Sequence, residues 1–489
     1  MKKALLISYR FPPQGGGGVQ RTLKHVKYLR RFGWEPVVQT ARNPYWPVRD
    51  ETLLADVPAG VRVYRTTAFE FERFEHRLAG LVQRQRGARN GAAAASGAAK
   101  SRPQPHAARA AGADDGEPAA NARAGGLLGG LRNMVHRRLL IPDPQIAWLP
   151  GAVAHGLRIA RREHPQVLYT SSPPNSVHLL GGLLAAILRR PWVADFRDPW
   201  TDGPRRQRSY VGNRLRADIE RAAERWVLRR ADRVIVSAPP LRERFLAKYP
   251  FLRPERVEVL TNGFDPADFE AMESERNAAH LLEPGCFHIT GSGNIEAMFD
   301  ALPLLRAIAE LVAEDGDIAR DLRVTLVGAK RGKYDADLAA LGLTERVRYP
   351  GWVAHARSLQ YLSESDVLLM CQLTQAGGGS EKLSGKSFEY LYLKKPILCL
   401  TVPGVTADLM VESGLGTVVD PADQAGIKAA LRRFHAERGR GGARGNPDVI
   451  ARFDRRRQSE RLATIFDEVT GARAATGAVE SPAAMHPVR

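Results

Sequence analysis

The densest group of chemistry-bearing side chains is the stretch Gly377-Gly-Gly-Ser-Glu381-Lys-Leu-Ser-Gly-Lys386-Ser-Phe-Glu389-Tyr-Leu. Ser384 suits an N-cap, and a helix over Gly385–Leu393 would run into the next strand at Pro396. Backbone N–H groups at such a helix start, Gly385 among them, suit an anion and above all a phosphate. Lys386 falls in the first turn, where a cation opposes the helix dipole unless a bound phosphate compensates it. Glu381 stands in the loop just ahead and Glu389 about one turn inside the helix, and carboxylates there are good acceptors for sugar hydroxyls. A surface loop with ordinary charges is the alternative that spacing alone leaves open.

Other groups are less directive. Asp195, Arg197 and Asp198 cluster at the end of a strand-like run. Asp198 is the candidate general acid–base carboxylate there, and an internal Arg–Asp pairing that shapes the loop fits equally well. His178, on a helix-like segment, reads as structural. No pair of carboxylates is placed as nucleophile and acid for double displacement, and no compact Asp-x-Asp suggests a metal.

These residues need a scaffold. Lys3–Tyr9 reads as a buried strand, the glycine loop Phe11-Pro-Pro-Gln-Gly-Gly-Gly-Gly18 follows, and Val19–Phe32 has apolar residues at helical spacing. Further strands are expected at Pro36–Thr40, Val61–Arg65, Val167–Thr170, Trp192–Phe196, Val234–Ser237 and Val257–Leu260, with helices such as Asn213–Arg230 between them. The pattern restarts with strands at Phe287–Gly291, Val324–Gly328, Val347–Tyr349, Val367–Cys371, Ile397–Thr401 and Gly416–Val419. Such alternation predicts an α/β protein with two Rossmann-like, doubly wound domains facing across a cleft. The expected division is 1–280 for the first domain and 281–450 for the second, then a helix over 451–471 that can pack back on the first domain, and a disordered tail over 472–489.

Residues 83–126 are Ala, Gly, Arg, Pro and Ser with almost no large apolar side chain, the composition of a disordered insertion. Flanking pieces, Phe71–Leu81 and Leu127–Arg138, are amphipathic; the second, with its arginines, is basic. They either lie on an anionic membrane surface or pack on the first domain.

Among the 489 residues, 72 Lys and Arg against 53 Asp and Glu leave a net charge of +19, which favours anionic partners. Because the basic residues gather in helices and the insertion rather than in a stripe with aromatics, nucleic acid is not expected as a partner. Three cysteines without ligand spacing argue against a disulfide framework. With no signal-peptide pattern and no apolar stretch of spanning length, the expected location is cytoplasmic, with peripheral attachment to the inner face of the membrane as an added possibility.

The Glu381–Glu389 stretch resembles the Glu-x7-Glu motif of the retaining glycosyltransferases of family four (glycosyl transferase group 1), which have the GT-B fold. Lys386-Ser-Phe-Glu389-Tyr-Leu with Lys395-Pro-Ile-Leu is similar to a phrase of bacterial polysaccharide transferases. Phe11-Pro-Pro with its glycines, Thr170-Ser-Ser-Pro-Pro174, Asp195-Phe-Arg-Asp-Pro-Trp200 and Leu260-Thr-Asn-Gly-Phe-Asp265 match in the expected order.

The resemblance implies roles. Glu389 would bind the donor ribose diol and Glu381 the hydroxyls of the donor sugar. Lys386, with the Ser384–Gly385 backbone, would neutralise the leaving pyrophosphate in place of a metal, and Trp352 and Val353 would frame the base. Gly16, Gly17 and Gly18 would admit donor phosphate or acceptor, unless they form only a flexible turn. Asn262, Gly291 and Ser292 join the donor-binding set. Two departures stand out. Lys382-Leu-Ser-Gly385 replaces the Gly-Phe-Gly that usually follows the first glutamate, and Gly291-Ser-Gly-Asn294 lacks the usual basic residue, a part Lys330 or Arg331 would take. The function implied is retaining transfer of a hexose-type sugar from a UDP- or GDP-sugar, without a further cofactor, to a glycan or lipid-linked acceptor in polysaccharide biosynthesis. A sugar-nucleotide epimerase and a non-catalytic GT-B scaffold of polysaccharide assembly are the alternatives.

Overall fold

The computed structural model describes residues 1–42, 44, 49–68, 140–275, 280–293, 301–329, 332–372, 383–440 and 445–479. The 83–126 segment, the Phe71–Leu81 piece and the Leu127–Arg138 piece lie outside them, as do Glu381, Lys330 and Arg331. The described residues divide into two compact units, one formed by the chain up to Val259 together with Ser459 onward, the other by Leu260–Gln458.

The first unit carries strands β1 (Lys2–Ile7), β2 (Trp34–Arg42), β3 (Arg62–Thr67), β4 (Val167–Ser172), β5 (Trp192–Phe196), β6 (Arg233–Val236) and β7 (Val257–Val259). They form one parallel sheet in the order β3-β2-β1-β4-β5-β6-β7. Every residue of β4 and β5 is buried, as parallel strands covered by helices on both faces require.

The second unit holds β8 (Phe287–Ser292), β9 (Leu322–Val327), β10 (Val347–Gly351), β11 (Val367–Gln372), β12 (Ile397–Thr401) and β13 (Gly416–Val419), again all parallel, in the order β10-β9-β8-β11-β12-β13. Successive side chains of a strand point to opposite faces. Leu398 and Leu400 therefore join the core with Phe287, Ile308 and Leu431, whereas Ile397 and Cys399 join the one with Phe388, Met410 and Phe453. In each sheet the strand order reverses once, between β1 and β4 and between β8 and β11. At such switch points the flanking connections leave on opposite faces and open a crevice beyond the strand ends.

The division falls at Val259, not at 280. Gly263 explains it: a Cβ there would meet the Phe453 carbonyl oxygen at 2.1 Å, and the Phe264 N–H donates to that same oxygen at 3.0 Å. Phe269 and Met272 of the Pro266–Glu275 helix then join the core of the second unit. The terminal helix runs Arg455–Val479, past the expected end at 471; 480–489 lie outside the described residues. From Ser459 it belongs to the first unit, where Phe466 packs edge-on against Trp34 at 5.3 Å and Asp467 pairs with Lys2 at 2.7 Å. Among the described residues no helix is long and apolar enough to cross a membrane.

Candidate functional site

In the second unit the candidate residues gather around the switch point. The Gly385–Leu393 helix is the crossover from β11 to β12, with Ser384 at its N-cap position. Ser387, Phe388 and Leu391 are buried and fix its inner face; the Ser387 hydroxyl reaches Met370 Sδ of β11 at 3.6 Å. Helical spacing turns Lys386 and Glu389, three residues apart, to another face. The Ser384 side chain makes no capping hydrogen bond, so it does not satisfy the N–H groups of the first turn, the arrangement that favours an anion.

Gly291 and Ser292 end β8, and Gly293 turns the chain with φ +95°. A Cβ on Gly293 would lie 1.7 Å from Lys386 Nζ and 2.3 Å from its Cε. The lysine side chain thus lies across the end of β8 in the space that the glycine leaves. Gly328, after β9, also has positive φ, and a Cβ there would approach Gly293 Cα to 3.3 Å. The Gly293 N–H donates to Val327 O at 2.7 Å and the Gly328 N–H to Gly351 O at 2.8 Å. A row of strand-end turns without side chains therefore borders the ammonium group.

Two residues outside the sequence-derived set complete this group. The buried Tyr390 hydroxyl accepts from Ser292 N–H at 3.1 Å and donates to Leu369 O at 3.2 Å, tying the helix to both strands that flank the switch point. Burial pushes its phenol well above the ordinary range, so it stays a neutral donor. His355 Nε2 lies 3.0 Å from Glu389 Oε1, both partly exposed. His355 opens the His355–Glu364 helix just beyond Trp352, a large exposed aromatic, and Val353, which is half-buried. A polar aromatic beside Glu389 was a readable signal for Tyr390. A lone histidine at a helix start offered none for His355.

Asn262 lies beside the close approach of Gly263 to Phe453. Its Oδ1 accepts from Arg455 at 3.4 Å and its carbonyl from Gln458 at 3.0 Å. These bonds hold it at the start of the terminal helix, the same close approach that requires Gly263.

In the first unit Gly16, with φ +103°, is the N-cap residue of the Gly17–Tyr28 helix, which Gly17 and Gly18 open. One turn in, Arg21 is fully buried and makes a two-pronged pair with Asp195, Nε–Oδ2 2.7 Å and Nη2–Oδ1 2.8 Å. The hydroxyls of Tyr169, at 2.5 Å, and Ser171, at 2.9 Å, donate to the same carboxylate. Burial pushes the Asp195 carboxyl up, but the Arg21 guanidinium and the Tyr169 hydroxyl outweigh it, leaving it below its ordinary value. Asp195, Arg197 and Asp198 are therefore not one cluster. Arg197 donates to the Ser172 and Pro173 carbonyls, and Asp198 is half-buried at the same loop. His178 is buried, with Nδ1 2.8 Å from the Thr170 hydroxyl and its ring 4.2 Å from that of Phe196. Burial pushes its imidazole down to about 3, which keeps it neutral and structural.

Two doubly wound parallel sheets, one with a helix start and a lysine at its switch point, define a GT-B protein of two Rossmann-like units. The comparisons agree. Residues 105–268 match the model of Glycosyltransferase Family 4, and residues 288–437 match that of Glycosyl transferases group 1. The chain belongs to this glycosyltransferase family. It is 27% identical to the 2-deoxystreptamine glucosyltransferase of Streptomyces kanamyceticus over 291 residues, 55% of this chain and 70% of that protein. In fold it is similar to sucrose-phosphate synthase from Thermosynechococcus elongatus, with TM-score 0.56, 15% identity, and coverage of 96% of this chain and 100% of that one. Anabaena HepE in complex with UDP is similar too, with TM-score 0.50, 15% identity, and coverage of 98% and 100%. At these identities the structures speak to the fold alone.

Proposed function

We propose that this glycosyltransferase binds a nucleoside-diphosphate sugar in its second unit and transfers the sugar, with retention, to a glycan or lipid-linked acceptor in bacterial polysaccharide biosynthesis. One observation carries the reading: the Lys386 ammonium lies across Gly293 at the start of a helix whose N-cap side chain does not cap it. A cation there opposes the helix dipole at a cost of about 0.3–1 kcal/mol. A diphosphate between Lys386 and the first-turn N–H groups reverses that sign.

In this reading Glu389, held by His355, accepts from the ribose hydroxyls, and Trp352 with Val353 borders the base. Gly291 and Ser292 floor the phosphates, and Glu381 and Lys330 extend the set toward the sugar and the diphosphate. The acceptor oxygen bonds to the anomeric carbon as the bond from that carbon to the diphosphate oxygen breaks, and the acceptor proton passes to the departing diphosphate. Lys386 stabilises the charge that develops there. Asp198 orients the acceptor hydroxyl. A hexose on UDP or GDP is the expected donor, in keeping with the glucosyltransferase relative and the UDP-bound HepE.

A thermal-shift screen of UDP-, GDP-, ADP- and TDP-sugars tests this. A ligand that binds only the folded chain raises its unfolding temperature by mass action, and the donor so found is carried into a transfer assay with proton NMR of the product. Retained anomeric configuration supports the reading; inversion, or epimerised donor without transfer, refutes it.

A further inference from the structure

Nine large hydrophobic side chains are exposed among the described residues, and five of them, Leu183, Ile187, Val211, Leu215 and Ile219, lie on or beside two neighbouring helices of the first unit. The helices Ser176–Leu188 and Arg214–Arg230 are the crossovers from β4 to β5 and from β5 to β6. Both step the same way along the sheet, so right-handed crossovers put both on one face of it. They pack closely: a Cβ on Gly182 would lie 2.5 Å from the Trp226 ring.

The Arg214–Arg230 helix has two differently used sides. Its inner side buries Ala217, Glu220, Glu224, Val227 and Leu228. Its outer side carries Leu215, Ile219 and Ala222 at i, i+4 and i+7, an exposed apolar row that the sheet does not cover, and partly buried Trp226 closes the row against the neighbouring helix. Leu215 is 65% exposed and Ile219 42%. Val211, 77% exposed, extends the row just ahead of N-cap Asn213. Beside the row, Arg214, Arg221, Arg225, Arg229 and Arg230 are exposed. Asp218 is the helix's one exposed acid, and Arg221 already pairs with it at 3.1 Å.

We propose that this face docks on an anionic lipid surface. A ridge of aliphatic side chains flanked by arginines is what an interfacial helix presents to lipid head groups, the apolar row entering the acyl boundary while the guanidinium groups meet the phosphates. The charge balance favours lipid phosphate over a second copy of this chain, because two such faces would bring five arginines against five. The proposal does not depend on the transfer reaction.

Flotation of the full chain with vesicles tests it. The chain binds vesicles of phosphatidylglycerol mixed into phosphatidylcholine, and phosphatidylcholine alone much less. Leu215→Ser with Ile219→Ser lowers the partition about tenfold or more, with an unchanged thermal midpoint, since exposed positions tolerate substitution. Arg221→Gln and Arg225→Gln each lower it about fivefold at low salt. Failure of the wild type to bind the anionic vesicles overturns the proposal. So does undiminished binding by the Leu215/Ile219 variant, which would assign the membrane contact to another segment. A concentration-dependent dimer abolished by that variant would assign the face to a second copy instead, and also overturns it.

Discussion

The ammonium of Lys386 occupies the space that a side chain on Gly293 would fill, with Nζ 1.7 Å from the position of the missing Cβ. The turn after β8 and the first turn of the Gly385–Leu393 helix are thereby interdependent: the glycine supplies both the positive φ and the room. A cation held there, on a helix start whose N-cap side chain makes no capping hydrogen bond, adds positive charge where a helix N-terminus already favours an anion.

Gly293→Ala should therefore displace Lys386 rather than unfold the unit. We expect donor affinity to fall about tenfold or more in calorimetry. Stability should fall by about 1–2 kcal/mol, the cost of a side chain in left-handed backbone, read from urea unfolding. Unchanged donor affinity would separate Lys386 from the phosphates.

His355 and Glu389 lie 3.0 Å apart and act as a pair in the proposed ribose contact. His355→Ala should raise the donor KM about threefold to tenfold and leave kcat nearly unchanged, since the histidine positions the carboxylate without touching the reacting atoms. His355→Gln, which keeps an N–H donor, should restore part of the loss. Glu389→Ala should cost more than either. Steady-state kinetics at varied donor concentration read all three.

The Arg21–Asp195 pair should behave as a buried strut. Arg21→Met leaves the carboxylate uncompensated and should cost about 3–5 kcal/mol in denaturant unfolding. Because the folded-state value of Asp195 lies below its ordinary one, its contribution to stability is present above about pH 4 and is lost as pH falls below that. Arg21→Met combined with Asp195→Leu should remove this acid-sensitive component.

His178 has the same sign of pH dependence in a different window. Its folded value is depressed to about 3, so the unfolded chain binds the extra proton between about pH 6.5 and 3. Unfolding free energy should fall by about 1.4 kcal/mol per pH unit across that window as pH is lowered. His178→Asn should flatten that slope, which urea titrations at a series of pH values would show.

Much of the architecture was legible because buried parallel strands are short apolar runs between turns. Trp192–Phe196, Ile397–Thr401, Gly416–Val419 and the Gly385–Leu393 helix fall where the sequence places them. The unit boundary was not legible. Apolar spacing in Pro266–Glu275 shows a buried face without saying which core receives it. The terminal helix runs through Gly471, a residue that reads as a stop in the sequence, and on to Val479. In the site, Lys386 and Glu389 were visible through their spacing on one helix. Pairs such as His355 with Glu389, or Arg21 with Asp195 across 174 positions, depend on topology that no local pattern encodes. The partner of Asp195 is thus an arginine of the first helix, while Arg197, two positions on, donates to the Ser172 and Pro173 carbonyls.

The central claim is that the Gly385–Leu393 helix start and Lys386 hold a nucleoside diphosphate. Calorimetric titration of UDP and GDP into the wild-type chain and into Lys386→Ala, with circular dichroism to establish that both are folded, tests it most directly. We expect the wild type to bind one of the two nucleotides and Lys386→Ala to bind it at least about tenfold more weakly, a loss of one charge-assisted contact. Equal affinity in the two folded proteins would contradict it.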